Sequence, residues 1–326
     1  MLETLGPRPL IVRLRNFVGD AVLGLPALRL LEQHGYQLHL VGKPWARELF
    51  ASEGWPVLVR PKKLHERIKQ LRALRAEACR IDPGFDKRPN ALAFPFAISA
   101  ALDMRLAGLR AEAYAFEARG WLLERSHPME KNAHALRSYW DLSCAFLRIK
   151  APPPASIDFK ISPAQNAQAD ALLLAHGIQP GYVLICPFAS GTVEMVDKTW
   201  PHFPRFVERL CASGRQVLIC PGPNEVEGAR RMYPSTLRLE GVGLGVYAAL
   251  LARAKLVVAN DTGPAHLAAA VGAPLISVLG PTLTEQWAPW GPSVEILQRY
   301  PEWFDADEVL ARVQQRLEQE PGSAGR

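Results

Sequence analysis

Short apolar runs rich in β-branched residues alternate with helix-patterned segments down nearly the whole chain, and that alternation leaves few folds open. LIVRL, QLHLV, PVLVR and the segment around CRID follow one another with helices between them and lead to a helix over KNAHALRSYWDLSCAFLRI. KAPPPAS then interrupts, and three consecutive prolines make an extended, stiff connector. Beyond it the alternation restarts. A helix over AQNAQADALLLAHG, stopped by Gly177, precedes YVLIC, and RQVLIC, LRLEG, KLVVA and PLISVLG follow with helices between them. Strands separated by helices form parallel sheets with right-handed crossovers. The reading is therefore α/β, with two doubly wound domains over residues 1–155 and 156–326. A length of 326 residues with 48% hydrophobic content supplies two cores of ordinary domain size. The amphipathic last helix, DADEVLARVQQRLEQ, is free to pack back on the first domain.

The opening MLETLGPRPLIVRLRN carries charges early, and no run approaches the ~18 apolar residues of a membrane span, so neither a secretory signal nor a span is expected and the chain is read as cytoplasmic. Cys79, Cys144, Cys186, Cys211 and Cys220 show no C-x-x-C spacing, and four lie in apolar segments, which reads as reduced, structural thiols. The net charge of +6 is unevenly spread. RPKKLHERIKQLRALR, residues 60–75, sets seven Lys and Arg against Glu66, with Leu64, Ile68 and Leu71 at helical spacing. Such a basic amphipathic helix is either a solvated face or a contact for an anionic surface, phosphorylated lipid or nucleic acid.

In doubly wound sheets ligands sit beyond the carboxyl ends of the strands. The first loop there, RLRNFVGDAVLGLPALRLLEQHG, puts Gly19 and Asp20 in a turn and Pro26 too deep for a first helical turn, which predicts a short turn or kink before the main helix. Asp20 is a helix cap or a general base for a bound hydroxyl. PFASGTVEMVDKTWPHFP offers Ser190, Gly191 and Thr192 with one mobile cation, Lys198, which suits a phosphate although no Walker loop is present. In PGPNEVEGARRM, Glu225 can accept from a ribose diol or simply favour a helix N-terminus. EGVGLGVY misses the G-x-G-x-x-G spacing.

The most telling stretch is VVANDTGPAHLAAAVGAPLISVLGPT, residues 257–282. Asp261 or Thr262 can cap a helix beginning at Pro264, and Gly263 allows close approach of a ligand to the first-turn amides, so this junction reads as an anion seat. His266 lies one step further, either facing the ligand or packed among the alanines. H-E-x-x-H, G-x-S-x-G and carboxylate clusters with metal spacing are absent from the sequence, and hydrolase and metalloenzyme readings lose weight.

Taken together, RNFVGDAVLGLPALRLL, ASGTVEMVDKTWP and NDTGPAHLAAAVGAPLISVLGPT resemble glycosyltransferase family 9, the ADP-heptose:lipopolysaccharide heptosyltransferases of Gram-negative bacteria. LAFPFAISAALDMRLAGLR and HALRSYWDLSCAFL extend the likeness through the first domain. The resemblance implies a GT-B architecture, with two Rossmann-like domains facing a cleft, an N-terminal acceptor domain and a C-terminal nucleotide-sugar domain. It implies inverting transfer of heptose from ADP-heptose as substrate, with no cofactor and no metal. Position by position, Asp20 matches the catalytic base and Lys198 the lysine on the donor phosphates. Asp261, Thr262, Gly263 and His266 match the donor-binding turn, Glu225 the residue near the ribose, and Val242 an apolar position against adenine. Ser190, Gly191 and Thr192 fall in a loop longer than is typical of the family, so which of them meets phosphate stays open. Arg60, Lys62, Lys63, Arg67 and Lys69 are then expected to contact a phosphorylated lipid A-core acceptor, with the enzyme peripheral on the cytoplasmic face of the inner membrane and no nucleic acid involved. The rivals are a GT-B enzyme using another nucleotide sugar or a protein acceptor, and a non-catalytic protein that binds nucleic acid or membrane.

Overall fold

The computed structural model describes residues 6–189, 192–193 and 196–319, with the backbone alone at 192, 193 and 196. It divides into two compact units, Met1–Pro154 and Ala155–Arg326. Among the described residues unit 1 carries strands β1 (Arg8–Arg13), β2 (Tyr36–Gly42), β3 (Val57–Val59), β4 (Ala91–Ala93), β5 (Ala111–Tyr114) and β6 (Arg125–His127). Its helices are α1 (Val18–Leu23), α2 (Leu25–Gln33), α3 (Ala46–Leu49), α4 (Leu64–Ile81), α5 (Ile98–Leu106) and α6 (Ala135–Leu147). The strands form one parallel sheet in the order β3-β2-β1-β4-β5-β6. Chain order reverses beside β1, so the loops after β1 and β4 flank the switch point where a doubly wound sheet opens to ligands.

Unit 2 repeats the plan with β7 (Val183–Cys186), β8 (Thr192–Val193), β9 (Val196–Asp197), β10 (Val217–Ile219), β11 (Leu237–Arg238), β12 (Leu256–Ala259), β13 (Leu275–Leu279) and β14 (Val294–Gln298). The helices are α7 (Pro163–Ala175), α8 (Phe203–Ala212), α9 (Val226–Met232), α10 (Leu244–Arg253), α11 (Gly263–Ala270), α12 (Thr284–Trp287) and α13 (Ala306–Glu318). Its parallel sheet runs β11-β10-β7-β12-β13-β14, while β8 and β9 make a small antiparallel hairpin. Both units thus have a doubly wound α/β topology.

Local chemistry explains the elements. In α7, Pro163 follows a Ser162/Gln165 capping box, and in α13 a box formed by Asp305 and Glu308 does the same. On α8, Phe203, Phe206, Val207 and Leu210 recur at i, i+3, i+4 and i+7 and are all buried, each contributing ~1.5–3 kcal/mol. Trp200, fully buried, joins them and donates from Nε1 to the Phe304 carbonyl at 2.8 Å.

Two expectations change. CRID is the end of α4, and the strand beside β1 is the three-residue β4 further on. The face that α4 buries is Leu71, Leu74 and Ala78, while Leu64 is 43% exposed. The last helix buries Ala306, Val309, Val313 and Leu317 in unit 2's own core, against Phe203 and Phe206. The cysteines are free thiols, and burial raises all five, Cys186 to about 12. No helix among the described residues is long and apolar enough to cross a membrane.

Candidate functional site

In unit 1 the chain leaves β1 through RLRN and enters α1, a six-residue helix that breaks at Gly24 before α2, with Pro26 in the first turn of α2. The expected kink is therefore a pair of helices sharing one glycine, because proline is accepted only in a first turn. Asp20 lies in the first turn of α1, where a carboxylate is favoured by the helix dipole, and makes no side-chain cap. It is 9% exposed, and its Oδ1 accepts from the Tyr139 hydroxyl at 2.6 Å and stands 3.5 Å from Arg15 Nε. Among the described residues no hydrogen bond is made to Oδ2, which leaves one oxygen of a mostly covered carboxylate for a ligand.

The partners are held firmly. Tyr139 is 2% exposed on α6, tilted against Phe94 at 5.2 Å, and its phenol is pushed well above its ordinary range by burial and then by the Asp20 charge. Arg15 lies over the Phe96 ring at 4.5 Å and reaches the Tyr139 hydroxyl at 3.5 Å. Burial works against the Arg15 charge, yet the Tyr139 and Asp20 oxygens hold its pKa above the usual value. A carboxylate aimed by a tyrosine and an arginine is placed to act as a base. Neither partner was singled out in the sequence. Tyr139 lies 119 residues from Asp20, and only the run RSYWDL on a strongly amphipathic helix hints that a polar aromatic is buried there.

Arg60 and Arg67 do not stand free in solvent. Arg67 donates to both oxygens of Asp103, at 2.7 and 3.0 Å, and Arg60 reaches Oδ2 at 3.3 Å. Asp103 is 4% exposed, so a buried carboxylate draws both guanidinia inward. Arg67 also donates to the Lys62 carbonyl at 2.6 Å. Lys62, Lys63 and Lys69 keep exposed ammonium groups. Arg13, buried at the end of β1 near this cluster, has its pKa lowered to about 10, first by burial and then by Arg60.

In unit 2 the sequence NDT after β12 brackets three loops. Asn260, fully buried, accepts from the Trp200 amide at 3.2 Å and donates to the Pro187 carbonyl. Asp261 Oδ2 pairs with Lys198 Nζ at 3.1 Å and accepts from Thr282 Oγ1 at 2.9 Å. Loops following β7, β9 and β13 are thereby pinned to the carboxyl end of β12. Helix α11 begins at Gly263 rather than Pro264, with Thr262 as N-cap and no side-chain cap, because the Asp261 carboxylate is turned to Lys198 and Thr282. Among the described residues the Thr262 and Gly263 amides make no hydrogen bond, so two donors and the positive end of α11 stand beside a lysine. That combination fits an oligophosphate. Thr282, absent from the sequence-derived set, belongs to it; the trailing GPT was the signal.

The remaining positions are less concentrated. His266 is 5% exposed within α11, which is the packing alternative. Glu225 is the N-cap of α9, and its Oε2 accepts the Gly222 amide at 2.8 Å, so half of that carboxylate braces its own loop. Val242 is half-buried, just before the Gly243 N-cap of α10. Ser190 and Gly191 lie outside the described residues, and Thr192 is described only as a backbone residue of β8 paired with Asp197. Among the described residues no group of three or more His, Cys, Asp and Glu side chains is placed to hold a metal ion.

Residues 96–312, more than half of the chain, match the model of glycosyltransferase family 9 (heptosyltransferase). Lipopolysaccharide heptosyltransferase 3 of Escherichia coli is 33% identical over 124 residues, covering 35% of either chain. Lipopolysaccharide heptosyltransferase 1 of Pseudomonas aeruginosa is 33% identical over 165 residues, 48% of this chain and 43% of that one. The chain thus spans less than half the length of these curated relatives. The structure of E. coli ADP-heptose lps heptosyltransferase II superposes with a TM-score of 0.78 over 95% of this chain and 98% of that one at 20% identity, a likeness of fold. With the matched span containing Lys198, Asp261 and α11, the chain belongs to glycosyltransferase family 9.

Proposed function

We propose that the protein transfers heptose from ADP-heptose to a hydroxyl of the lipopolysaccharide inner core, with inversion and without a metal. The observation that carries this reading is the Lys198–Asp261 pair, 3.1 Å apart, beside the two unbonded amides that open α11 and inside the span matched by the family. One relative's name, lipopolysaccharide heptosyltransferase, and one structure's title, ADP-heptose lps heptosyltransferase, supply the substrate classes.

In this reading Asp20 Oδ2 takes the proton of the acceptor hydroxyl while Tyr139 and Arg15 hold Oδ1. The hydroxyl oxygen forms a bond to the anomeric carbon from the face opposite the diphosphate. The bond from that carbon to the diphosphate oxygen breaks, and ADP leaves with the electron pair. A single displacement by one base inverts the anomeric centre. Lys198 and the Thr262 and Gly263 amides meet the charge that grows on the departing oxygen, a task for which fixed donors suffice. Glu225 and Val242 are assigned to the adenosine. Lys62, Lys63 and Lys69 are assigned to acceptor phosphates at the cytoplasmic membrane face, while Arg60 and Arg67 order that segment through Asp103.

The test is binding and turnover by the purified chain. ADP should bind more tightly than UDP, and ADP should be released from ADP-heptose when core lipid lacking its heptose is supplied. Equal binding of UDP, or turnover only with another nucleotide sugar or a protein acceptor, moves the protein to a different donor or acceptor. Absence of turnover with steeply salt-sensitive nucleic-acid binding supports a non-catalytic role.

A further inference from the structure

We infer that unit 1 carries a second anion site, for a diphosphate or larger phosphate anion, in a cleft of about 320 Å³ at the amino ends of its strands. This edge is opposite the carboxyl ends that carry Asp20. Arg8 begins β1, Tyr36 begins β2, Arg125 begins β6, Arg88 precedes β4, and Arg148 caps α6; all five line the cleft. Its size falls within the ~300–1,000 Å³ usual for small-ligand sites.

The charges do not cancel. Four guanidinia line the cleft with one carboxylate, Glu112. Glu112 is 1% exposed and already engaged, with His127 Nε2 at 2.7 Å from Oε2 and Arg125 at 3.3 Å from Oε1. Arg88 is paired with Asp82, which does not line the cleft. Arg8 and Arg148 form no ion pair among the described residues. Counting Asp82, the balance is two positive charges. The ends of α2 and α6 at His34 and Arg148 offset this by at most about half a charge each, so a positive field remains. It is also pre-organised: Arg8 Nη2 donates to the Tyr36 hydroxyl at 2.7 Å while its guanidinium lies 4.4 Å from that ring's centre. Phe146, tilted against Tyr36 at 5.3 Å, supports the wall. Planar guanidinia fixed by stacking, with donors left over, are the usual way to hold phosphate oxygens in pairs.

Arg148 adds a separate observation. Its φ of 60° and ψ of 39° are left-handed, at a helix end where glycine or asparagine is the ordinary choice. A side chain with a Cβ is disfavoured there, because the Cβ comes too close to the following carbonyl oxygen. The strain sets a guanidinium on the cleft rim, and strain retained in this way points to a binding role.

The experiment is equilibrium binding of inorganic pyrophosphate to the full chain, read by calorimetry, in a Lys198→Ala background that takes the cation from the α11 seat and leaves only its two amides. One equivalent should still bind, with citrate at equal ionic strength at least tenfold weaker. Adding Arg148→Gly should weaken pyrophosphate at least tenfold while the thermal midpoint holds or rises, because glycine relieves the left-handed strain. Arg8→Gln should weaken it similarly, which covers an Arg148→Gly chain that folds poorly. No binding in the Lys198→Ala chain, equal binding of citrate, or unchanged affinity in both arginine variants overturns the proposal.

Discussion

Tyr139→Phe removes one oxygen and leaves the ring, so it isolates the contact between the buried phenol and Asp20. The hydrogen bond is 2.6 Å long, its donor is 2% exposed and its acceptor 9% exposed, so water cannot replace it freely. A hydrogen bond to a charged group is worth about 1.5–3 kcal/mol net. Arg15 remains 3.5 Å from Oδ1 and recovers part of that, which puts the expected loss near 2 kcal/mol. Urea denaturation of wild type, Tyr139→Phe, Asp20→Ala and the double variant should therefore give a coupling energy of about 1.5–2 kcal/mol with unchanged slopes. Kinetics supply a second reading. If the phenol aims the carboxylate, Tyr139→Phe should lower kcat about tenfold, equivalent to ~1.4 kcal/mol, with the KM for the nucleotide sugar unmoved. Additive stabilities together with a wild-type kcat would show that the contact neither stabilises nor orients Asp20.

Other expectations follow from the same geometry. Lys198→Met should raise the barrier by about 3 kcal/mol, a hundredfold or greater loss of kcat/KM in ADP-release assays, and it leaves Asp261 without its cation. Asp103→Ala should destabilise the chain by about 3–5 kcal/mol in urea titration, because Arg13, Arg60 and Arg67 then crowd a buried region without their carboxylate; Lys63→Ala, on an exposed cation, should leave stability unchanged within ~0.5 kcal/mol. The two buried thiols, Cys144 and Cys186, should react slowly with an aromatic disulfide at pH 8 in the native chain and fast in denaturant, since burial shields them and raises both. Their contribution to stability is fully present below the unfolded thiol value near 9 and declines as pH climbs from there toward the native Cys186 value of about 12, so unfolding free energy should fall across that alkaline range.

The central strands of each sheet could be read from the residues because a parallel strand is covered on both faces and appears as an unbroken apolar run, as LIVRL, YVLIC and KLVVA do. Shorter edges were hidden. β4 is three residues of Ala, Leu and Ala, a composition with no strand preference, and β6 is Arg, Ser and His. CRID misled because α4 runs for 18 residues and carries the apolar pair at its end. The helix start at the proposed anion seat beside Asp261 was legible because cap, glycine and proline are adjacent in sequence. What that seat needs from elsewhere was partly hidden, for Thr282 is 21 residues on and Lys198 63 residues back. A run of basic residues at 60–75 looked free to meet lipid, since nothing local reveals that Asp103, 36 residues beyond Arg67, is buried beneath it.

The role of Asp20 is tested most directly by turnover of Asp20→Asn, with ADP-heptose affinity measured on the same preparation. The amide preserves the acceptor for Tyr139 but cannot take a proton at neutral pH. Donor affinity should stay within about twofold of wild type while kcat falls by about 10²–10⁴. Turnover within a few-fold of wild type, with the donor bound as before, would contradict that role.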